Sequence, residues 1–252
     1  MDVSRDTVGL QVPSRIGVVC LLIAATALAP RSAGAVTFDG DITYTSDYVF
    51  RGISETGGRG AGQVDVHLAS ADGTFLGVFA TTLSHVWHFE YENLGWNYQV
   101  EEYLGHRFDL SQSWSATLTA ANYSYLDGNA PFSNDYQELS AAVSYLDSWT
   151  VTFAVIPNAV RYDRGDRLGR YPAYTADAST QLPIVGRLFL TAGAGYYSSD
   201  SSGYGYGNAG LAFEFKRLRL DAGYYFAQDR AQTLFPYGRA GSRFAGSVSW
   251  HF

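Results

Sequence analysis

Cysteine is nearly missing. Cys20 is the single one among 252 residues, so no intrachain disulfide and no thiol pair can organise this chain. Methionine also occurs once, and one lysine, Lys216, stands beside sixteen arginines. No apolar run after Ala35 approaches the roughly 20 residues that a membrane-spanning helix requires. Basic charge is in deficit too: the formal net charge is −7, which disfavours nucleic acid as a partner. What is abundant is Tyr (19), Phe (15) and Gly (27). Many aromatics without a long apolar run fit a β-rich chain whose apolar residues are dispersed at period two.

The N-terminus has the three parts of a secretory signal. Ile16 to Ala29 is a mostly apolar run of fourteen residues, preceded by Arg5 and Arg15 and followed by the small-residue site Ala33-Gly34-Ala35. The alternative is a buried N-terminal helix. Cleavage after Ala35 removes residues 1–35 and leaves residues 36–252 as the mature barrel domain. Its fourteen basic and twenty-two acidic residues give a net charge of −8, and no cysteine remains. Cys20 lies inside the apolar run after Val19, so it is not expected to be lipid-modified.

Alternation bounded by turn residues predicts twelve strands, at about 38–51, 61–70, 74–87, 95–108, 113–126, 135–146, 149–157, 171–182, 187–197, 204–215, 218–228 and 242–252. Most exceed the usual globular strand and reach the roughly 9 to 11 residues that cross a bilayer when tilted. The faces of the third, seventh and eighth are ambiguous, which leaves ten or fourteen strands open. Short connections (71–73, 109–112, 147–148, 183–186, 216–217) alternate with longer ones (52–60, 88–94, 127–134, 158–170, 198–203, 229–241). Outer-membrane barrels have this pattern, with short periplasmic turns, long external loops and both termini periplasmic. A soluble β-sandwich would alternate as well. Expected aromatic girdles are Trp114, Trp149 and Trp250 on the periplasmic side, and Tyr48, Trp96, Tyr98, Tyr125 and Tyr206 on the outer side.

The last strand carries Phe244, Gly246, Val248, Trp250 and Phe252 on one face and Arg243, Ala245, Ser247, Ser249 and His251 on the other. A strand ending the chain on an aromatic residue is the usual ending of bacterial outer-membrane proteins, and is expected to engage the barrel-assembly machinery. It should close the sheet by pairing residues 244–252 antiparallel with residues 38–50 of the first strand. That would bring Arg243 close to Asp47 and Arg51.

The first strand and its loop read Thr45-Ser46-Asp47-Tyr48-Val49-Phe50-Arg51-Gly52-Ile53-Ser54-Glu55-Thr56. This stretch resembles the opening signature of the TorF family, a group of Gram-negative outer-membrane porin-like proteins. Glu101-Glu102-Tyr103-Leu104-Gly105 is similar to an acidic, Tyr- and Gly-containing strand of that family. The resemblance implies an outer-membrane barrel with a pore and supplies no substrate.

If even positions of the first strand face lipid, Asp39, Asp41 and Asp47 face the lumen. Extending the alternation adds Asp65, Glu101, Glu138, Asp177, Glu214 and Asp221 as inward acids and Arg107, Arg219 and Arg243 as inward bases. An acidic lumen lowers the energy of cations, so cations or neutral solutes are expected to pass. Pairing of these charges across a narrow barrel, closing it, is the alternative. Arg51 either stands at the pore mouth as one pole of a transverse field or pairs with Asp47 or Glu55 to order the first loop. The charged segment 161–170 (Arg161, Asp163, Arg164, Asp166, Arg167, Arg170) folds inward, binds lipopolysaccharide, or is simply solvated. His85 and His88 fall on opposite strand faces, against a shared metal. Ser84 and His85 diverge for the same reason, and the glycines at 57–62 precede no helix. No cofactor, metal or catalytic activity is expected. The expectation is a twelve-stranded outer-membrane channel for small hydrophilic solutes. Its alternative is a structural barrel with a filled lumen whose loops bind lipid, matrix or another protein.

Overall fold

A computed structural model of the chain describes residues 36–83, 97–126, 133–163, 166–200, 202–236 and 239–252. The expected signal segment 1–35, Trp96, Ser84, His85, His88 and Arg164 lie outside the described residues.

The elements are β1 (Val36–Thr45), β2 (Val49–Phe50), β3 (Ile53–Ser54), β4 (Ala61–Ser70), β5 (Thr74–Thr82), β6 (Tyr98–Asp109), β7 (Trp114–Leu126) and β8 (Tyr136–Tyr145). They continue as β9 (Trp149–Asp163), β10 (Asp166–Val185), β11 (Leu188–Ser199), β12 (Ser202–Phe215), β13 (Leu218–Ala227), the one-turn helix α1 (Arg230–Leu234) and β14 (Arg243–His251). Twelve of the strands form one closed antiparallel barrel in the order β1-β14-β13-β12-β11-β10-β9-β8-β7-β6-β5-β4, and β2 and β3 make a separate hairpin. The expected strand count of twelve is the observed one.

The apolar face of each strand points outward. Phe38, Ile42 and Tyr44 of β1 are 58–60% exposed, Phe153 is 62% and Phe244 is 82% exposed. A sandwich buries its apolar faces against each other, so this inversion excludes it. An apolar wall of this extent is stable only in lipid. Trp114, Trp149 and Trp250 are exposed near the short-turn ends, and Tyr44, Tyr98, Tyr174, Tyr196 and Tyr224 are exposed nearer the long-loop ends.

Five expectations need correction. First, β1 ends at Thr45 rather than continuing to Arg51. The Ser46 N–H still donates to the Gly246 carbonyl at 2.8 Å, and then the chain turns inward because Asp47 is bound by groups inside the barrel. Second, Tyr48 therefore joins no outer girdle: its ring lies 6.1 Å from that of inward-facing Phe79. Third, Tyr125 and Tyr206 also face inward, in register with Gln99 and Gly195. Fourth, residues 158–163 and 166–170 of the expected loop 158–170 are not loop but the outer parts of β9 and β10, with irregularities between Arg167 and Gly169 and between Tyr171 and Ala173. Their charges mimic a loop because those parts rise past the apolar wall. Fifth, the seam is shorter than residues 38–50: Asp41 to Thr45 pair with His251 to Ser247.

Phe252 extends that seam by one step. Its N–H donates to the Gly40 carbonyl at 3.0 Å, the Gly40 N–H donates back at 3.3 Å, and its ring packs 6.0 Å from that of Phe38. Only glycine leaves room for this ring. A Cβ at position 40 would stand 2.6 Å from both the Phe252 ring and the Asp65 carbonyl oxygen.

Candidate functional site

The T-S-D-Y-x-F-R-G-x-S stretch builds a hairpin inside the barrel. Phe50 pairs with Ile53, so Arg51 and Gly52 form a two-residue tip, with φ of 49° and 75°. Two left-handed residues in a two-residue loop make the turn type that matches the twist of short antiparallel strands. Gly52 is needed for a second reason: a Cβ there would stand 2.7 Å from the Phe226 carbonyl of β13 and from Tyr206 Cβ of β12. The hairpin thus lies on the β12–β13 side of the lumen. Ile53, 1% exposed, packs there with Tyr204, Tyr206, Ala227 and, from α1, Ala231 and Leu234.

Asp47 holds the base of the hairpin. Its Oδ1 accepts from the Ser54 hydroxyl at 2.5 Å and the Thr56 hydroxyl at 2.8 Å, and its Oδ2 faces Arg243 Nη1 at 3.5 Å. The Thr45 hydroxyl donates to the Asp47 carbonyl, and the Thr56 hydroxyl accepts from the Tyr48 N–H. The conspicuous hydroxyls of the motif are therefore internal ties, a role that composition and alternation do not reveal.

From the tip, Arg51 reaches across the lumen. Its Nη2 donates to both oxygens of Glu138 on β8 at 2.8 Å and to Thr175 Oγ1 on β10 at 3.4 Å. The Arg51 carbonyl accepts from the Tyr204 hydroxyl on β12, and the guanidinium carbon lies 4.8 Å from the Phe50 ring centroid. Arg51 and Glu138 side chains are only 12% and 10% exposed. Burial works against the charged guanidinium, and the Glu138 carboxylate outweighs it, holding Arg51 above the usual arginine value. Arg51 therefore does not order its loop through Asp47 or Glu55. It is a bolt to the opposite wall.

The remaining charges divide by partner. Asp39, Asp41, Asp65, Glu101, Arg107, Glu138, Asp177, Glu214, Arg219, Asp221 and Arg243 all occupy the inner-face register. Arg219 pairs with Glu214 at 2.7 Å and Asp221 at 2.9 Å. Arg107 turns to Asp109 and Asp147 at the short-turn rim, where all three are substantially exposed. The acids of β1 and β4 meet weaker partners: Asp65 contacts His67 at 3.2 Å and the Tyr103 hydroxyl at 2.9 Å, and Asp41 contacts His251. Asp177 accepts from the Tyr206 hydroxyl. With Arg51, Arg219 and Arg243 engaged, the inner wall keeps an excess of carboxylate. In the charged hairpin, Arg161 pairs with Asp200, and Arg170 donates to the carbonyls of Ser133, Asp135 and Asn158.

On the long-loop side of the bolt, a cavity of about 80 Å³ is lined by Phe50, Arg51, Tyr125, Tyr136, Tyr162 and Tyr204, among others. That volume suits a few small groups rather than a large ligand. Glu55 also borders it. Burial, and secondly the Asp47 carboxylate, push Glu55 up to about 7. An acid raised in the folded state is penalised in its charged form, so hairpin stability is greatest below the ordinary carboxylate range and falls as pH rises through about 7. Amide protection factors of residues 48–56 should accordingly be higher at acid pH than at alkaline pH, and a Glu55→Gln variant should lose the difference.

Among the described residues, the outer wall holds a polar set near the long-loop side that lipid-face alternation does not predict. Asn122 donates to Glu102 at 2.7 Å, Gln137 donates to Asn122 at 2.6 Å, and Asn158 donates to the Gln137 side chain at 2.8 Å. The ladder crosses β6 to β9 and links these polar side chains to one another, which lowers the cost of placing them on such a face.

Solved structures share this architecture. The KdgM porin superposes with a TM-score of 0.52 at 10% identity, covering 85% of this chain and 99% of that one. The NanC porin does so with a TM-score of 0.55 at 12% identity, covering 84% and 98%. At such identities the likeness is one of fold. No curated protein matches the sequence significantly. The family model described as "Bacterial protein of unknown function (Gcw_chp)" matches residues 29–250, nearly the whole barrel, and the chain belongs to that family.

Proposed function

We propose that this protein is a porin-like channel of the Gram-negative outer membrane, passing small hydrophilic solutes by diffusion with a weak preference for cations or neutral molecules. The observation that carries the reading is the inner wall: polar, closed into a ring, and crossed at one level by a hairpin whose bolt is Arg51. A constriction made by an inward segment inside a polar lumen is how a barrel limits solute size. The fold shared with the KdgM and NanC porins supports it. So does the surplus of inner carboxylates after Arg51, Arg219 and Arg243 are matched. No cofactor and no covalent step enter. Residues 1–35 act as a cleaved export signal, both termini stand on the periplasmic side, the outer wall meets lipid and lipopolysaccharide, and the strand ending at Phe252 is the handle for barrel assembly.

One observation favours a second reading, a filled structural barrel: the Arg51–Glu138 contact ties the inward hairpin to the β8 wall with both side chains nearly buried. Planar bilayers separate the two. Stepwise conductance with a reversal potential towards cation selectivity in a salt gradient is expected. Silent insertion of correctly folded protein would favour the filled barrel, and clear anion selectivity would remove the carboxylate argument.

A further inference from the structure

The contact made by Arg51 has the form of a ligand in a site. Glu138 is 8% exposed and Thr175 is 4% exposed, and both belong to the wall, whereas the guanidinium they hold belongs to the inward hairpin, whose Gly52 packs on β12 and β13. An aromatic face completes the surround: the Phe50 ring lies 4.8 Å below the guanidinium and 6.2 Å from the ring of Tyr123, which itself stacks on Tyr136 at 4.4 Å. A buried carboxylate, a hydroxyl and a ring face are what a planar, delocalised cation needs. Guanidinium sheds water at lower cost than an ammonium and gains from the ring quadrupole.

The occupant also sits on a short element that depends on its contacts with the barrel. Strands β2 and β3 have two residues each, far below what makes a hairpin independently stable, and Arg51 itself sits in the left-handed region that disfavours a side chain. Release of the Arg51 side chain from Glu138 is a local event, because the rest of the hairpin stays held by the Asp47 ties, the Ser54–Arg239 backbone pair and the buried Ile53, and Phe50 stays with it.

We infer that Glu138 and Thr175, with the rings of Phe50 and Tyr123, form a binding site for a guanidinium group that Arg51 occupies from within, and that guanidinium-bearing solutes compete for it. This rests on the channel reading in naming a solute class, but the binding itself is measurable without any conductance.

The test uses full-length Arg51→Ala protein refolded in detergent, titrated calorimetrically with guanidinium chloride and separately with tetramethylammonium chloride at matched ionic strength. Saturable binding of guanidinium, about tenfold or more tighter than tetramethylammonium, is expected, together with its loss in Arg51→Ala/Glu138→Gln. If Arg51→Ala refolds only when guanidinium is present, the site has been filled from solution and the inference stands. Equal binding of both ions, binding that survives Glu138→Gln, or failure to refold with either ion would overturn it. Saturable binding in a protein that is silent in bilayers would retain the site and remove the channel, and conductance without guanidinium binding would do the reverse.

Discussion

Arg51→Ala should be the most damaging single change inside the barrel, lowering stability by about 3–5 kcal/mol, because it leaves the Glu138 carboxylate buried without its cation. The temperature at which the compact gel band converts to the unfolded one is the readout. Glu138→Gln added to Arg51→Ala should recover most of the loss, since a neutral amide is far cheaper to bury than a carboxylate. The double variant also tests the constriction. With both ends of the bolt removed, single-channel conductance should rise above that of the native protein. If the double variant is stable and its conductance unchanged, Arg51 does not limit the passage.

Gly40→Leu should have the next largest effect, and at a different place. Any Cβ at this position meets the Asp65 carbonyl as well as the Phe252 ring. Overpacking of a fitted site costs about 1–3 kcal/mol, equivalent to a shift of roughly fivefold to somewhat over a hundredfold towards unassembled chain. The reciprocal backbone bonds between Gly40 and Phe252 would be lost with it. The yield of the heat-modifiable folded form measures this. Adding Phe252→Ala should relieve the ring collision only, so a partial recovery is expected, because the Asp65 backbone cannot move without disturbing the β1–β4 pairing.

These two sites differ in how far the sequence discloses them. The aromatic ending of β14 and the Phe38–Tyr44 alternation are local patterns, and each follows from the period-two geometry of a wall with one apolar face. Strand count and inner-face residues follow from the same rule. What alternation cannot register is a strand leaving its sheet. Ser46, Tyr48 and Phe50 keep the rhythm of β1 after the chain has turned, because the inward hairpin is itself β-structured. Tyr125 and Tyr206 stand at girdle height along their strands but on the inner face, which height alone does not reveal. The outer part of β9 and β10 reads as a loop since a hairpin standing in water carries polar residues on both faces. The partner of Arg51 lies 87 residues away, and no spacing rule connects Arg51 to Glu138.

The seam has a consequence for the order of events during assembly. Thr43 and Ser249, whose hydroxyls are joined at 2.8 Å across it, are 206 residues apart in the chain. Strand β1 can find β4 early, but its other edge has no partner until the final nine-residue strand has arrived. Until that moment β1 presents an open row of backbone donors and acceptors, the usual template for wrong association between chains. Contacts of such long separation are also the slowest to form. The chain must therefore be held apart from its copies for its whole synthesis, and any product truncated before β14 is left with an edge that nothing in its own sequence can cover.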